Sequence, residues 1–367
     1  MKREDLYMRS FRGEDGFNEF IADLGGDPVA ITKMTKLAPA LPEGLINFES
    51  FAEVCKLFET AAEQTNEPYF GLKWALHQPE DFRFSGPNII LLSLAKNTRH
   101  WIDMAIDYQK IHTNGMSYHY EEDLDAQTAT GVASVHPFAP PCRQMVEQFA
   151  AGLVLLSRQM LPDVKFHLIT FQHSAPEDLT LYEQIFQCPV EFNADRITFV
   201  SDHRHLEERK TALLTKIVTP LAKKYMDWQL SKFPKAAQSM SMAVSEIIPG
   251  LMGIKGSDIQ HVAQTLNMHP KKLQRILKDE KTSYSEVLDT VRKHTAMRLL
   301  SESDISIVRL AKMLDYSSDR PFTTATKRWF GMSASQYRRS QKSRPWQHKP
   351  KPAGRKLAAS AHNTPNN

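Results

Sequence analysis

Cysteine is scarce in this 367-residue chain: there are three, Cys55, Cys142 and Cys188, with neither CxxC nor Cys/His ligand spacing. An odd number at such separations argues against a disulfide framework or a structural zinc site, and fits buried thiols in a reducing compartment. Long apolar runs are missing too. The longest, Ile89 to Ala95, is interrupted by Ser93, far short of the roughly 18 to 20 residues needed to span a bilayer. The opening MKREDLYMRSF has no apolar core of a secretory signal, so the expected location is the cytoplasm, without membrane attachment. Catalytic signatures are equally absent: GxGxxG, the P-loop, GxSxG and HExxH do not occur, and Gly250, Gly253 and Gly256 follow no strand pattern. No enzyme activity, catalytic residue, cofactor or metal site is therefore expected.

What the chain does have is a repeat. At an offset of 48, Ile259, Val262, Ala263, Leu266, Asn267 and Met268 fall on Ile307, Leu310, Ala311, Leu314, Asp315 and Tyr316. One residue enters after the turn, so Leu273, Ile276 and Leu277 meet Phe322, Ala325 and Thr326 at 49. The pattern is that of a short helix buried through i, i+3, i+4 and i+7, a tight turn, and a second helix anchored by a large apolar residue. Ala263 and Ala311 are small where two backbones must approach. Asn267 and Asp315 stand where the turn calls for a left-handed residue, which these side chains tolerate best after glycine.

His269-Pro270 and Ser317-Ser318 open the second helices, proline at a first-turn position with no amide bond to lose and serine as N-cap. Between the units, Ser283 and Glu286 have capping-box spacing ahead of an amphipathic stretch containing Val287, Leu288, Val291, Met297, Leu299 and Leu300. Apolar periodicity alone describes any helical core. The outward faces add the chemistry: Lys271, Lys272, Gln274, Arg275 and Lys278 on one second helix, Arg320, Thr324, Lys327 and Arg328 on the other. Cations and amide donors near a helix N-terminus suit phosphates and purine edges.

The segment from Ile259 to Arg338 resembles the DNA-binding domain of the AraC/XylS family of bacterial transcription regulators. The resemblance rests on Leu273-Gln274-Arg275, Arg292 with Ala296 and Leu299-Leu300, and Lys327-Arg328-Trp329-Phe330-Gly331 followed by Tyr337-Arg338. It covers about a quarter of the chain and implies two helix-turn-helix units entering successive major grooves about 34 Å apart. It places Lys271, Gln274, Arg275, Arg320 and Thr324 against DNA. Four positions depart from the family pattern: Asp315 in place of glycine, Thr324 of arginine, Thr326 of phenylalanine and Ala334 of proline. The loss of that arginine predicts weaker direct readout by the second unit.

Charge divides the chain in the same way. Residues 257 to 367 hold 21 Lys and Arg against 9 Asp and Glu, a net +12; with the whole chain at +4, residues 1 to 256 carry −8. A basic module on an acidic one fits a polyanion binder attached to a domain that should not itself stick to DNA.

Residues 16 to 242 mix helix and strand signals and read as an α+β domain. Phe48 to Gln64, Gln144 to Leu156 and Pro220 to Leu230 (capped by Thr219) are the expected helices, and Asn88 to Leu94, Phe166 to Gln172 and Ile197 to Val200 the expected strands. Residues 1 to 15 read as loose, 243 to 256 as a short helix and joint, 257 to 340 as the all-α double helix-turn-helix domain with its long connecting helix. Residues 341 to 367, with Lys342, Arg344, Lys349, Lys351, Arg355 and Lys356 and no acid, read as a disordered basic tail that adds affinity through counterion release.

Pro68-Tyr69-Phe70-Gly71-Leu72, Arg143-Gln144 with Glu147, His173 with Pro176 and Asp178, and Tyr182, Phe186, Pro189, Val190, Phe192 and Ala194 are similar to the N-terminal effector domain of one branch of the same family, often labelled arabinose-binding. That resemblance implies metabolite sensing and homodimerisation, and contact with RNA polymerase if the protein activates. Phe70, Arg143, His173, Tyr182 and Phe186 are the candidate effector contacts, although Arg143 with Glu147 at i+4 is more often a structural pair, a histidine such as His173 more often a satisfied structural one, and the aromatics at this spacing are primarily core. The competing expectation is a constitutive architectural DNA-binding protein whose first domain only oligomerises; a third is an enzyme with a DNA-binding appendage.

Overall fold

The computed structural model describes residues 6–9, 16–37, 48–78, 95–161, 163–207, 224–228, 239–253 and 256–342. Short strand β1 (Tyr7–Arg9) is followed by helices α1 (Phe17–Asp23) and α2 (Pro28–Lys33), strand β2 (Phe48–Ser50), α3 (Phe51–Thr65), α4 (Phe70–His77) and α5 (Thr98–Asp107). Next come β3 (Met116–Asp123), β4 (Thr128–Val135), α6 (Arg143–Met160), β5 (Phe166–Thr170), α7 (Thr180–Phe186), β6 (Val190–Glu191) and β7 (Ile197–Asp202). The described residues end in seven helices: α8 (Met240–Leu251), α9 (Ile259–Thr265), α10 (Pro270–Asp279), α11 (Tyr284–Glu302), α12 (Ile307–Met313), α13 (Asp319–Phe330) and α14 (Ala334–Lys342).

The first part is α+β, as its alternating signals imply. Its main sheet has the order β3-β4-β7-β5-β6, antiparallel except for β5 beside β6. One face is closed by α3, α4 and α6, whose Val54, Leu57, Phe58, Phe70, Trp74, Met145, Ala150 and Val154 form one apolar core with Ile169, Ile197 and Phe199 of the sheet. α4 and α6 approach so closely that a Cβ at Gly71 would lie 2.0 Å from the Gln144 carbonyl oxygen, so glycine is required there.

Three expectations change. Phe48 to Ser50 are not helix but pair antiparallel with Tyr7 to Arg9, because Ser50 is extended and α3 starts only at Phe51. The same pairing, with Leu6 fully buried, ties down part of the N-terminus expected to be loose. The strand expected over 88–94 lies outside the described residues, as does the tail from 343 onward; of Pro220 to Leu230 only 224–228 is described, and it is helical. Cys55 and Cys142 are buried free thiols and Cys188 is half-buried.

A second apolar core belongs to α8–α14 and includes Val262, Leu273, Val291, Leu299, Leu310 and Phe322. α8 serves both: Met242 lies in the first core, Val244 and Ile248 in the second. The expected linker helix thus starts earlier, at Met240, and is packed rather than free. Gly253 and Gly256, at φ 74° and 84°, make the turns that follow it.

Candidate nucleic-acid interface

The two repeats fold alike. In the first, Asp258 caps α9 by accepting from the Gln260 and His261 amides at 2.8 and 3.0 Å; Val262 and Ala263 are buried, and Asn267 turns the chain at φ 51°. Pro270 opens α10 behind His269, whose Nδ1 accepts from the Lys271 amide. In the second, Ser306 caps α12, Leu310 and Ala311 are buried, and Asp315 turns the chain at φ 55°. Ser318 stands at the N-cap of α13 without a side-chain bond, leaving the first-turn amides of that helix to solvent or a ligand. The connecting helix α11 carries the expected capping box between Ser283 and Glu286.

Burial separates the faces as the periodicity predicts. Leu273 and Leu277 of α10, and Phe322, Ala325 and Thr326 of α13, are buried, while Lys271, Lys272, Gln274, Arg275 and Lys278, and Arg320, Thr324, Lys327 and Arg328, are all exposed. The outward residues are not equivalent, however. Arg328 is ion-paired to Asp289 of α11, which also accepts from the Trp329 indole at 3.1 Å, and the Thr324 hydroxyl donates to the Arg320 carbonyl. The five side chains of α10 make no hydrogen bond or ion pair among the described residues.

The family departures have local causes. Asp315 stays left-handed, as glycine would, but its carboxylate also accepts from the Gly253 and Ser257 amides at 2.8 and 2.7 Å, pinning both glycine turns to the second unit. Arg292 donates to the Asp315 carbonyl and lies 4.7 Å from the centre of the Tyr316 ring. Thr326 is fully buried and satisfies its hydroxyl on the Thr323 carbonyl. At Ala334, Ser333 and Gln336 supply reciprocal cap bonds that replace the preset backbone of a proline.

In the first domain the scattered effector-domain motifs converge. Gln144 accepts from the Gly71 amide at 2.8 Å, donates to the Pro68 carbonyl at 2.9 Å, and offers its own amide to Glu59 at 2.8 Å. One helical turn on, the buried Glu147 receives Arg143 at 2.5 Å and the Tyr182 hydroxyl, with His173 Nε2 at 3.6 Å. Phe70 and Phe186 are buried among other rings. None of Phe70, Arg143, His173, Tyr182 and Phe186 lines either of two cavities among the described residues, one between α5, α6 and β3 and one between the sheet and the helical domain.

Burial and the carboxylates of Glu302 and Glu147 push the Glu59 carboxyl up to about 8. Burial lowers the His173 imidazole to about 4 despite the nearby Glu147, so this histidine is neutral, and burial likewise raises the Glu302 carboxyl. Glu302, the last residue of α11, is the member that sequence reasoning missed. Its Oε1 accepts from the Cys142 amide at 2.6 Å, and its carbonyl from the Ser174 amide and hydroxyl at 2.8 and 2.9 Å. Around it Arg298 reaches Gln172, the Asp304 amide reaches Asn193 at 2.7 Å, and Arg309 pairs with Asp195 at 2.7 Å. The connecting helix and the second unit are thereby bonded to the first domain. The only hint in the sequence is an acid two residues after Leu299-Leu300.

Comparison with known proteins agrees with this geometry. The profile of the arabinose-binding N-terminal domain of AraC transcription regulators matches residues 25–209, and a helix-turn-helix domain profile matches 262–340. The chain belongs to the AraC family of transcription regulators. Among its relatives, the HTH-type transcriptional regulator VirS of Mycobacterium tuberculosis is 23% identical over 88% of this chain and 94% of its own length. The ornithine utilization regulator of Pseudomonas aeruginosa is 23% identical over 87% and 93%. The crystal structure of the regulator CdpR from Pseudomonas aeruginosa aligns over 88% of this chain and 97% of its own at 20% identity, with a TM-score of 0.41. As an AraC-family regulator the chain binds DNA through its C-terminal domain, and among the described residues no helix is long and apolar enough to cross a membrane.

Proposed function

We propose that this AraC-family regulator reads an asymmetric promoter site with α10 and α13, and that its first domain changes that reading when it binds a small metabolite. The observation that carries the reading is the exposed face of α10, where three lysines, an arginine and a glutamine have no partner among the described residues, on a helix whose opposite side is locked into the core. Gln274 has the geometry to pair with adenine and Arg275 with guanine or a phosphate. α13 contributes Arg320, Lys327 and the amides of its first turn to the backbone of the next groove.

The first domain supplies the sensing. Its contacts with Arg298, Glu302 and Arg309 give it a physical grip on the second unit, and a ligand acts through this grip only by binding one arrangement of the domains better than another. In this reading Arg143, His173 and Tyr182 hold the grip through Glu147 instead of meeting the effector themselves. Homodimerisation through the first domain, residence in the cytoplasm, and a contact with RNA polymerase where the site adjoins a promoter complete the proposal.

The test is footprinting and operator affinity of the full chain at fixed salt, with and without a panel of metabolites, together with the melting temperature. A protected segment whose affinity and melting temperature both respond to a metabolite supports the sensor. Protection without any response supports a constitutive architectural protein, and no protected segment overturns the DNA reading itself.

A further inference from the structure

A cavity of about 400 Å³ lies between the two domains, walled by β3 and β4 of the sheet on one side and by α8, α11 and α12 on the other. This is within the size range of small-molecule sites. Its lining is apolar at Val132, Val135, Met252, Met313 and Leu314 and cationic at Arg196, Arg298, Arg309 and Lys312.

The charges are unevenly satisfied. Arg196 is paired to Glu121 at 2.8 Å and Arg309 to Asp195 at 2.7 Å, so the two acids of the lining are neutralised. Arg298 is only 4% exposed, and both of its terminal nitrogens share one acceptor, Gln172 Oε1, at 3.2 and 3.1 Å. Glu302 stands further off, at 3.5 Å. The Arg298 Nε–H is buried with no acceptor among the described residues. A guanidinium offers five donors, and leaving one unpaired in the interior costs about 1–3 kcal/mol or more. Lys312, which also lines the cavity, makes no ion pair among the described residues.

From this we infer that the cavity between the domains binds a small organic carboxylate with an apolar body, its carboxylate held by Arg298 and Lys312 and its body against Met252, Met313 and the β4 valines. The inference rests on the sensing role proposed above and supplies its ligand class. Such a ligand touches the first domain and the second helix-turn-helix unit at once, so it stabilises the one relative placement that closes the cavity around it. A neutral amide of the same shape offers one carbonyl acceptor but neither the negative charge nor the second oxygen of the carboxylate.

The experiment uses the full chain and matched probes: benzoate and octanoate against benzamide and octanamide, at constant ionic strength with chloride as the balancing anion. Titration calorimetry and melting temperature report binding; operator affinity reports regulation. At least one carboxylate binds and raises the melting temperature, its amide binds at least tenfold more weakly, Arg298→Gln abolishes binding, and Lys312→Gln weakens it about five-fold. Because Lys312 is exposed and unpaired, that variant folds even if Arg298→Gln loosens the interface.

Amides that bind as well as the acids, wild-type binding by Lys312→Gln, or no carboxylate binding at all would each overturn the site. An uncharged metabolite that alters operator affinity while no carboxylate binds would remove this site and leave the sensor reading standing. Carboxylate binding that leaves operator affinity unchanged keeps the site and removes sensing through it.

Discussion

The first and second helix-turn-helix units share a frame, yet the residues around them make opposite use of it. In the first, among the described residues, the cations of α10 have no partner and the turn residue Asn267 bonds through its backbone alone. In the second, Asp315 holds the Gly253 and Ser257 amides, Arg309 is tied to Asp195 of the first domain, and Arg328 is tied to Asp289. The two units thus share one fold but differ in their side chains: those around the second tie it to the rest of the molecule. The lesson is that equivalent helices need not carry equivalent shares of recognition, and that the tethered unit is the one through which a distant domain can act.

The comparison can be broken most forcefully through the common core. Phe322→Ala and Leu273→Ala remove buried anchors at matching positions and are expected to cost about 3–5 and 2–5 kcal/mol respectively. Since both belong to one apolar cluster, denaturant unfolding should show a single shared transition for α9–α14 in each variant. Loss of only one unit would mean the two fold independently.

The anchor can be probed through pH. In the folded chain Glu59 titrates at about 8 rather than 4.5, so between those values the native state holds a proton that the unfolded chain has released. Its contribution is therefore fully present below about pH 4.5 and is lost as pH rises through 8. Glu59→Gln, which keeps the acceptor for the Gln144 amide, should remove on the order of 1–3 kcal/mol of stability loss between pH 5 and 9, read as a flatter plot of denaturation midpoint against pH. An unchanged slope would detach Glu59 from the anchoring cluster.

Recognition should be lopsided. Arg275→Ala is expected to weaken specific binding by about 1–3 kcal/mol if it meets a base, and Thr324→Ala by less than about 1 kcal/mol, measured by anisotropy at one salt concentration on operator and scrambled duplexes. Equal losses for the two variants would contradict the division of labour, and an equal loss for Arg275→Ala on both duplexes would reassign that side chain to phosphate.

The smallest effect concerns the turns. Asp315→Gly relieves a left-handed backbone but discards two hydrogen bonds, for a net loss of about 1 kcal/mol, whereas Asn267→Gly, with no such bonds at stake, should be neutral or gain a few tenths. Thermal melts of the two variants side by side decide it; matching changes would mean that the Asp315 bonds contribute nothing.

Much of this was legible in order along the chain because the relevant forces are local. The 3.6-residue spacing named the buried faces, His269-Pro270 and Ser283-Glu286 announced helix starts, and Asn267 and Asp315 announced left-handed turns; each signal lies within a few residues of its effect. The strand at Phe48 was misread as helix because its partner, Tyr7 to Arg9, is about forty residues away and shows no periodicity of its own. Glu302 and the orphan donor of Arg298 were invisible for a stronger version of the same reason: an ionisable residue at the end of an amphipathic helix is ordinarily solvated.

By itself, then, the order of residues determined the duplicated helical frame, which of its faces is cationic, and the division into an acidic and a basic module, since propensity, capping and periodicity act between near neighbours. Only the tertiary structure decided that Gln144 meets Pro68 and Gly71 and that Glu147 meets Tyr182, that α8 belongs to two cores, and that the second unit is bonded to the first domain around a cavity. Those facts depend on groups far apart in the chain being brought into contact, where desolvation, not sequence spacing, sets what each charge can do.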